Sequence, residues 1–153
     1  MNYTGIEFEM DSSCKFCLKD ILRGIDVSEF DWYFIEYHAY TCEDNKIKEF
    51  DVAETIAGNQ IEAFFNTTQN NFIQFALIHA YPKGATKQRL MTYCDYVNSD
   101  CQLILVVINM YYYEIYAKNL LILEKLTENI RPIAEHMSLK TPADDVRTII
   151  GQI

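Results

Sequence analysis

The sequence predicts an α+β fold in which residues 1–153 form a single domain, with a mostly antiparallel β-sheet and helices packed on it. One observation behind this prediction is the length of 153 residues, which fits one domain. Another is a composition that is 50% hydrophobic and 14% aromatic, enough for a sizeable core. The third is the mixed order of strand-like and helix-like segments, with one pair of strands joined by a tight turn, which favours an antiparallel sheet.

Strand character appears in segments rich in β-branched and aromatic residues. The run QLILVVI at 102–108 does not alternate, which indicates a central strand covered on both faces. A tight turn at Asn109–Met110 follows this run. The predicted strands are 3–10, 31–42, a buried strand from about 70 that Pro82 and Gly84 close, 102–108 and 111–118.

Helices are predicted where apolar residues recur at helical spacing. Pro132 should kink or shorten the last of them, because proline lacks a backbone donor. The segment TPADDVRTII near the end has helix-start signals, and an edge strand is its alternative. The predicted helices are 14–24 with Gly24 as its stop, 51–66, one capped by Thr86 with Leu90, Met91, Cys94 and Val97 on one face, and 120–137.

The net charge of −9 limits the kinds of partner. Nucleic-acid phosphates repel such a chain, so no nucleic acid is expected, whereas a basic protein surface attracts it. No apolar run approaches the roughly 18 residues of a membrane span, so no membrane partner is expected either. Met1–Met10 contains no basic residue, unlike a signal peptide, so we expect a cytoplasmic protein.

Motifs with chemical potential are few, and neither a cofactor nor a metal is expected. The pair Cys14 and Cys17 has C-x-x-C spacing, but both lie on an apolar stripe, so reduced, buried core cysteines are expected over a redox or metal site. His79 lies in an apolar strand, where a hydrogen-bonded core histidine is the expected role. Two acidic pairs have simple interpretations: Glu7 and Glu9 are expected to be exposed to solvent, and Asp144 and Asp145 are expected to be charges at the start of a helix.

Four tyrosines stand within six positions at 111–116, where strand alternation divides them between two faces. One face carries Tyr111, Tyr113, Ile115 and Ala117. The other face is either a solvent-side sheet surface or a binding face, with the hydroxyl ends of Tyr112 and Tyr116 exposed and Trp32 extending it. The predicted partner-binding residues are Trp32, Glu36, Tyr112, Glu114, Tyr116 and Lys118.

Nine short motifs carry a resemblance to a known family: Gly5–Glu9, Ile21–Asp26, Trp32–Tyr33, Tyr81–Gly84, Thr92–Asp95, Ser99–Leu103, Glu114–Lys118, Leu123–Leu126 and Asp145–Thr148. Across these motifs, nearly the whole chain resembles an uncharacterised family of small proteins from Bacillus-type bacteria and their prophages, domain of unknown function 2691. None of the shared motifs is catalytic by type, so the resemblance implies a bacterial or phage cytoplasmic protein without supplying a mechanism. It also implies a late strand in place of the late helix.

Three functions remain open at this point. The favoured hypothesis is a non-enzymatic binding protein of the immunity, inhibitor or anti-defence type, which blocks a partner protein with a basic surface. The alternative is a small-ligand binding module with an aromatic pocket. The least favoured is a small enzyme that uses Cys101 as its nucleophile.

Overall fold

The computed structural model of this chain describes residues 4–10, 18–43, 46–50, 55–56, 58–67 and 71–140. Its elements mix strands and helices, which confirms the α+β class. The strands are β1 (Gly5–Glu9), β2 (Phe30–Glu43), β3 (Lys46–Phe50), β4 (Thr55–Ile56), β5 (Asn71–Pro82), β6 (Leu103–Ile108), β7 (Tyr112–Ala117) and β8 (His136–Lys140). The helices are α1 (Leu18–Ile21), α2 (Gly58–Thr67), α3 (Tyr93–Val97) and α4 (Leu120–Ile130), with a 3-10 turn at Val27–Glu29.

These strands form one sheet in the order β3-β2-β5-β6-β7-β1-β8, and β4 pairs with β2 beside β3. Every pairing is antiparallel. β6 lies between β5 and β7, and its residues 103–107 are buried whichever face they point to. The prediction of a central strand covered on both sides is therefore confirmed, because a strand can be apolar throughout only where both faces are covered.

One face of the sheet, here called the helix face, packs against α1, α2 and α4 and holds the larger core. Trp32 is fully buried there, with its ring edge-on to Phe65 of α2 at 5.2 Å. Each fully buried large side chain of this kind stabilises the fold by about 1.5–3 kcal/mol. The strand residues of this core include Ile6, Phe8, Trp32, Phe34, Ile78, Leu103, Leu105, Val107, Tyr113 and Ile115.

The opposite face, here called the tyrosine face, has a smaller core in which tyrosine rings replace most of the aliphatic residues. α3 and the segment around it cover part of this face. The buried residues are Tyr81, Tyr93, Tyr96, Cys101, Ile104, Val106 and Tyr116.

α3 begins later than the sequence pattern suggested. Its N-cap is Thr92 and not Thr86, because Thr92 and Asp95 form a capping box in which each side chain accepts from the other's backbone N–H. This start turns Tyr93 inward, whereas Cys94 and Val97 are exposed. The predicted apolar face of this helix is therefore wrong.

Other helices begin or end at residues that differ from those predicted. Thr55–Ile56 is a strand, and α2 starts at Gly58, so the predicted helix from 51 began too early. α4 ends at Ile130, just before Pro132, as expected, and β8 follows at a place where helix was predicted. Gly24 has a φ of 80° in the turn after α1, which confirms the helix stop there. The predictions for Cys14, Cys17 and residues 141–150 lie outside the described residues.

The β6–β7 turn is built from two non-glycine residues in the left-handed region. Asn109 has a φ of 53° and Met110 a φ of 68°. Two such residues give the tight hairpin turn that matches the twist of antiparallel strands. The predicted turn at these residues is thus confirmed.

Candidate functional site

Charged and tyrosine side chains meet on the tyrosine face where β7, β1 and β8 lie side by side. Glu114 of β7 is directly opposite Glu7 of β1. In the next row, Gly5 stands between Tyr116 of β7 and Lys140 of β8. A Cβ at Gly5 would lie 2.8 Å from a ring carbon of Tyr116, so only glycine lets the ring occupy this position. The missing side chain also lets Lys140 reach across β1.

The Tyr112 hydroxyl joins the two carboxylates. It lies 2.6 Å from Glu7 Oε2 and 2.7 Å from Glu114 Oε1. A phenol has one proton to donate, so the two carboxylates share a single donor at this point. Because like charges directly opposite each other destabilise a sheet, this arrangement needs a nearby cation.

Lys140 supplies that cation from the neighbouring strand. Its Nζ lies 3.0 Å from Glu114 Oε1, 3.5 Å from Glu7 Oε2 and 3.2 Å from the Tyr116 hydroxyl. The Lys140 side chain is 16% exposed and that of Glu114 is 15% exposed, whereas Glu7 is 35% exposed. One lysine therefore links β8 to β7 across β1 and leaves the Glu7 carboxylate nearest to solvent. We call Glu7, Tyr112, Glu114, Tyr116 and Lys140 the carboxylate network.

The pKa values of two network residues, Tyr112 and Lys140, move further from neutral pH. Burial raises the pKa of Tyr112, and its hydrogen bonds to Glu7 and Glu114 raise it further. Burial alone would lower the pKa of Lys140, but hydrogen bonding to Glu114 and that carboxylate's charge outweigh burial and raise it. A proton-transfer catalyst needs a pKa near the working pH, so these groups suit fixed charge and positioning better than acid–base catalysis.

A cluster of tyrosine rings lies beside the network. The ring centroid of Tyr116 is 5.7 Å from that of Tyr93 and 6.1 Å from that of Tyr96. The Tyr93 hydroxyl hydrogen-bonds Thr4, and the Tyr96 hydroxyl donates to the Gln102 carbonyl at 3.2 Å. These ring contacts hold α3 against the sheet, and each tyrosine hydroxyl has a hydrogen-bond partner.

The structure brings five of the six predicted site residues to the tyrosine face. Tyr112, Glu114 and Tyr116 form part of the carboxylate network. The Lys118 ammonium lies over the Tyr96 ring at 5.0 Å and donates to the Ser99 carbonyl. The fifth residue, Glu36, lies three strands from Glu114 in the same row, where its half-exposed carboxylate is 3.8 Å from His38.

Trp32 is the exception, and the expectation that it extends this face is wrong. Its even spacing from Glu36 would place both on one face of a regular strand. A register irregularity in β2 between Phe34 and Glu36 reverses the alternation. Trp32 therefore points into the helix face, with its indole N–H donating to the Val27 carbonyl at 2.8 Å.

Tyr116 also differs from expectation. Its side chain is only 2% exposed, so its hydroxyl does not face solvent. It instead lies 3.3 Å from Glu114 Oε2, inside the network. Tyr112 is half-buried. The prediction that Tyr112 and Tyr116 share a face with Glu114 is therefore correct, but the prediction that both hydroxyl ends are exposed is wrong.

Cys101 has an environment that disfavours a thiolate. The residue is fully buried, and its thiol donates to the Leu103 carbonyl at 3.2 Å. Burial raises the pKa of this thiol to about 12, so it is protonated at neutral pH. A nucleophilic cysteine needs the opposite shift.

Two other expectations for single residues change. His79 is buried as predicted, but its Nδ1 has no hydrogen-bond partner among the described residues, and burial with the nearby charge of Lys87 lowers its pKa to about 4. Glu7 was expected to be solvated, and it accepts from Tyr112.

The described residues also form a groove of about 280 Å³ beside the turn that follows α1. Phe65 is the one aromatic residue among its described lining, and Lys19, Arg23 and Glu62 give it mixed charge. It lies on the side of the helices and takes no part in the tyrosine face. In the described parts of the chain, no group of three or more histidine, cysteine, aspartate or glutamate residues is placed to hold a metal.

Glu7 and Lys140 are the network members that sequence reasoning missed as site residues. Alternation placed Glu7 on one face of the first strand, but β8 was not predicted as a strand, and the pairing of β1 between β7 and β8 depends on the tertiary fold. The motif GIEFE at 5–9 contained one usable signal, since glycine inside a strand often marks close approach of another group.

Comparison with known proteins identifies the family. A family model described as a protein of unknown function (DUF2691) matches residues 3–150. The chain belongs to this family. It is also 28% identical over 147 residues to an uncharacterized protein, YncE, from Bacillus subtilis strain 168, which covers 94% of this chain and 95% of that relative.

These matches confirm the resemblance to domain of unknown function 2691 and support a bacterial source. No solved structure matches the chain. Within the described residues, no helix is both long enough and apolar enough to cross a membrane.

Proposed function

We propose that this DUF2691 chain is a non-enzymatic cytoplasmic protein that binds a partner protein with a basic surface. In this proposal it is an immunity, inhibitor or anti-defence protein, of bacterial or prophage origin, and binding blocks the partner. The observation that carries the proposal is the pair of carboxylates, Glu7 and Glu114, fixed side by side by the Tyr112 hydroxyl and Lys140.

Fixed carboxylates suit recognition because little side-chain freedom is lost when a cation meets them. Glu7 is the more exposed of the two, and Glu9 lies one row further along β1 on the same face. The net charge of −9 adds long-range attraction to a basic partner and raises the association rate at low salt. The raised pKa values of Tyr112, Lys140 and Cys101 make these three groups poorly suited to acid–base or nucleophilic catalysis at neutral pH.

The small-ligand alternative has less support. A ligand site commonly has a volume of about 300–1,000 Å³ and apolar, aromatic walls. The groove beside α1, at about 280 Å³, is just below this range and has one described aromatic residue. Its position on the other side of the molecule separates it from the tyrosines on which the ligand hypothesis rested.

The test is capture of a partner from a Bacillus subtilis lysate at low salt with the immobilised chain, followed by calorimetry with the purified captured protein. We expect a stoichiometric protein whose affinity falls as salt rises. The variant Glu7→Gln/Glu9→Gln should bind it at least tenfold more weakly. The control Glu124→Gln/Glu128→Gln removes the same charge from α4, on the other side of the sheet, and should bind within about twofold of the parent chain. Recovery of no stoichiometric protein, or equal losses in both variants, contradicts the proposal.

A further inference from the structure

The tip of the β6–β7 hairpin presents apolar side chains in a backbone conformation that favours glycine. Met110 has a φ of 68°, and its side chain is 45% exposed. Tyr111, next in the chain, is 44% exposed. A turn of this kind commonly has asparagine followed by glycine, so methionine at the second position retains an exposed side chain at the expense of backbone strain.

Backbone hydrogen bonds hold this tip on both sides. The Asn109 N–H donates to the Gln74 carbonyl of β5 at 2.8 Å, and the Met10 N–H donates to the Tyr111 carbonyl at 2.8 Å. The strained turn is therefore fixed to the neighbouring strands. Side chains on a fixed turn lose less freedom on binding than side chains on a mobile loop.

Carboxylates lie next to the apolar tip. Glu9 of β1 is directly opposite Tyr112, the residue that follows the tip. The Glu135 N–H donates to the Glu9 carbonyl at 3.0 Å, so a second acidic residue, itself exposed, comes to the same end of the sheet. The tip is thus continuous with the acidic surface of the carboxylate network, and its charge complements a basic rim.

We propose that Met110 and Tyr111 form the apolar anchor of the chain and enter an apolar pocket, rimmed by lysine or arginine, on the partner protein. Methionine adapts to irregular pockets and tyrosine offers contact area at small entropic cost, which are the properties of interface anchors. This inference rests on the partner-binding function proposed above and assigns the part of the surface that inserts.

The variant Met110→Gly tests the anchor because it removes the side chain and gives the turn its preferred residue. We expect an unchanged or higher Tm together with at least tenfold weaker binding to the protein captured from Bacillus subtilis lysate. Asn109→Gly relaxes the same turn and keeps Met110, so its affinity should stay within about twofold. Leu121→Ala removes a side chain that is 76% exposed at the other end of β7, and it should also bind within about twofold.

A second measurement locates the contact without any substitution. Met110 and Met91 are exposed to similar extents, 45% and 40%, so hydrogen peroxide should oxidise both at similar rates in the isolated chain. In the complex with the captured protein, we expect at least fivefold slower oxidation of Met110 and no change at Met91.

The outcomes separate the two proposals. A captured partner with unprotected Met110, or with undiminished affinity for Met110→Gly, overturns the anchor and leaves the acidic surface in place. Loss of affinity in Leu121→Ala equal to that in Met110→Gly also overturns it. Failure to capture any stoichiometric partner overturns both proposals. Self-association of the pure chain that Met110→Gly abolishes would assign the tip to a second copy and overturn the anchor as stated.

Discussion

The two faces of the sheet bury side chains of different chemistry. On the helix face, aliphatic and aromatic side chains pack against α1, α2 and α4, as Leu105 and Trp32 do. On the tyrosine face, buried rings carry hydroxyls that bond to carboxylates, a lysine and backbone carbonyls. The same strands form both faces, and successive residues of a strand point to opposite faces, so the difference lies in which residues occupy alternate positions.

The two faces differ in how a partner protein could recognise them. Apolar packing is non-directional, and its energy depends mainly on the area removed from water. A polar network depends on geometry, and each lost partner leaves a costly group behind. Charges that such a network holds in fixed, partly exposed positions are specific sites to which a partner protein can bind.

The largest effect is expected on the helix face, from Leu105→Ala in β6. Leu105 is 1% exposed, so truncation removes buried apolar contacts and leaves a cavity. We expect a loss of about 2–5 kcal/mol in the free energy of unfolding, measured by urea denaturation. Leu121→Ala is the matched control, because Leu121 is 76% exposed and should change stability by less than about 0.5 kcal/mol. A loss below about 1 kcal/mol in Leu105→Ala would show that β6 is not the centre of the core.

The pH dependence of stability probes a buried polar group of the tyrosine face, His79. Burial, with a contribution from Lys87, lowers its pKa to about 4, below the ordinary value of 6.5. The unfolded state then binds more protons than the folded state between these values, so the stabilisation is complete above about pH 6.5 and is lost as pH falls toward 4. The full effect is about 3 kcal/mol, of which about 2 kcal/mol should appear between pH 7 and pH 5.

Urea denaturation at pH 7 and pH 5 measures this effect by difference. His79→Leu should lose less stability over the interval than the parent chain, by about 2 kcal/mol. His136→Gln is the control, since His136 is exposed and its variant should follow the parent. Equal losses of stability in the parent and in His79→Leu between pH 7 and pH 5 would show that His79 is not the source of the pH dependence.

Sequence reasoning predicted those features of the fold that depend on local pattern. The apolar run of β6 and the Asn109–Met110 turn were readable because burial on both faces and left-handed turns have local signatures. Trp32 was misplaced because the irregularity in β2 reverses alternation, and a bulge has no reliable local signature. The start of α3 was misplaced although the sequence contained the signal, since Thr92 and Asp95 have capping-box spacing.

The candidate site was predictable only within one strand. Alternation placed Tyr112, Glu114, Tyr116 and Lys118 together, and the structure agrees. Glu7 and Lys140 come from strands at opposite ends of the chain, and their meeting depends on strand order, which alternation does not encode.

On the tyrosine face, Lys140→Met should show the importance of the network cation. The substitution keeps most of the apolar stem and leaves Glu7 opposite Glu114 without the ammonium. Because these side chains are partly exposed, we expect a loss of about 1–3 kcal/mol, less than for a fully buried pair. Lys125→Met is the control, since its pair with Glu128 at 3.5 Å is exposed and should be worth less than about 1 kcal/mol. Adding Glu114→Gln to Lys140→Met should recover part of the loss, and a further additive loss would argue against charge repulsion as its cause.

The smallest effect separates the hydroxyl of Tyr112 from its ring. Tyr112→Phe keeps the ring against the sheet and removes the donor that Glu7 and Glu114 share. Lys140 still contacts both carboxylates, so we expect a loss of about 1–2 kcal/mol and not the collapse of the network. Tyr111→Phe is the neighbouring control, because its side chain is 44% exposed, and it should change stability by less than about 0.5 kcal/mol. Equal stability of both variants would mean that solvent replaces the Tyr112 hydroxyl without cost. The tyrosine face would then differ from the helix face in its composition, but its stability would not depend on directional hydrogen bonds.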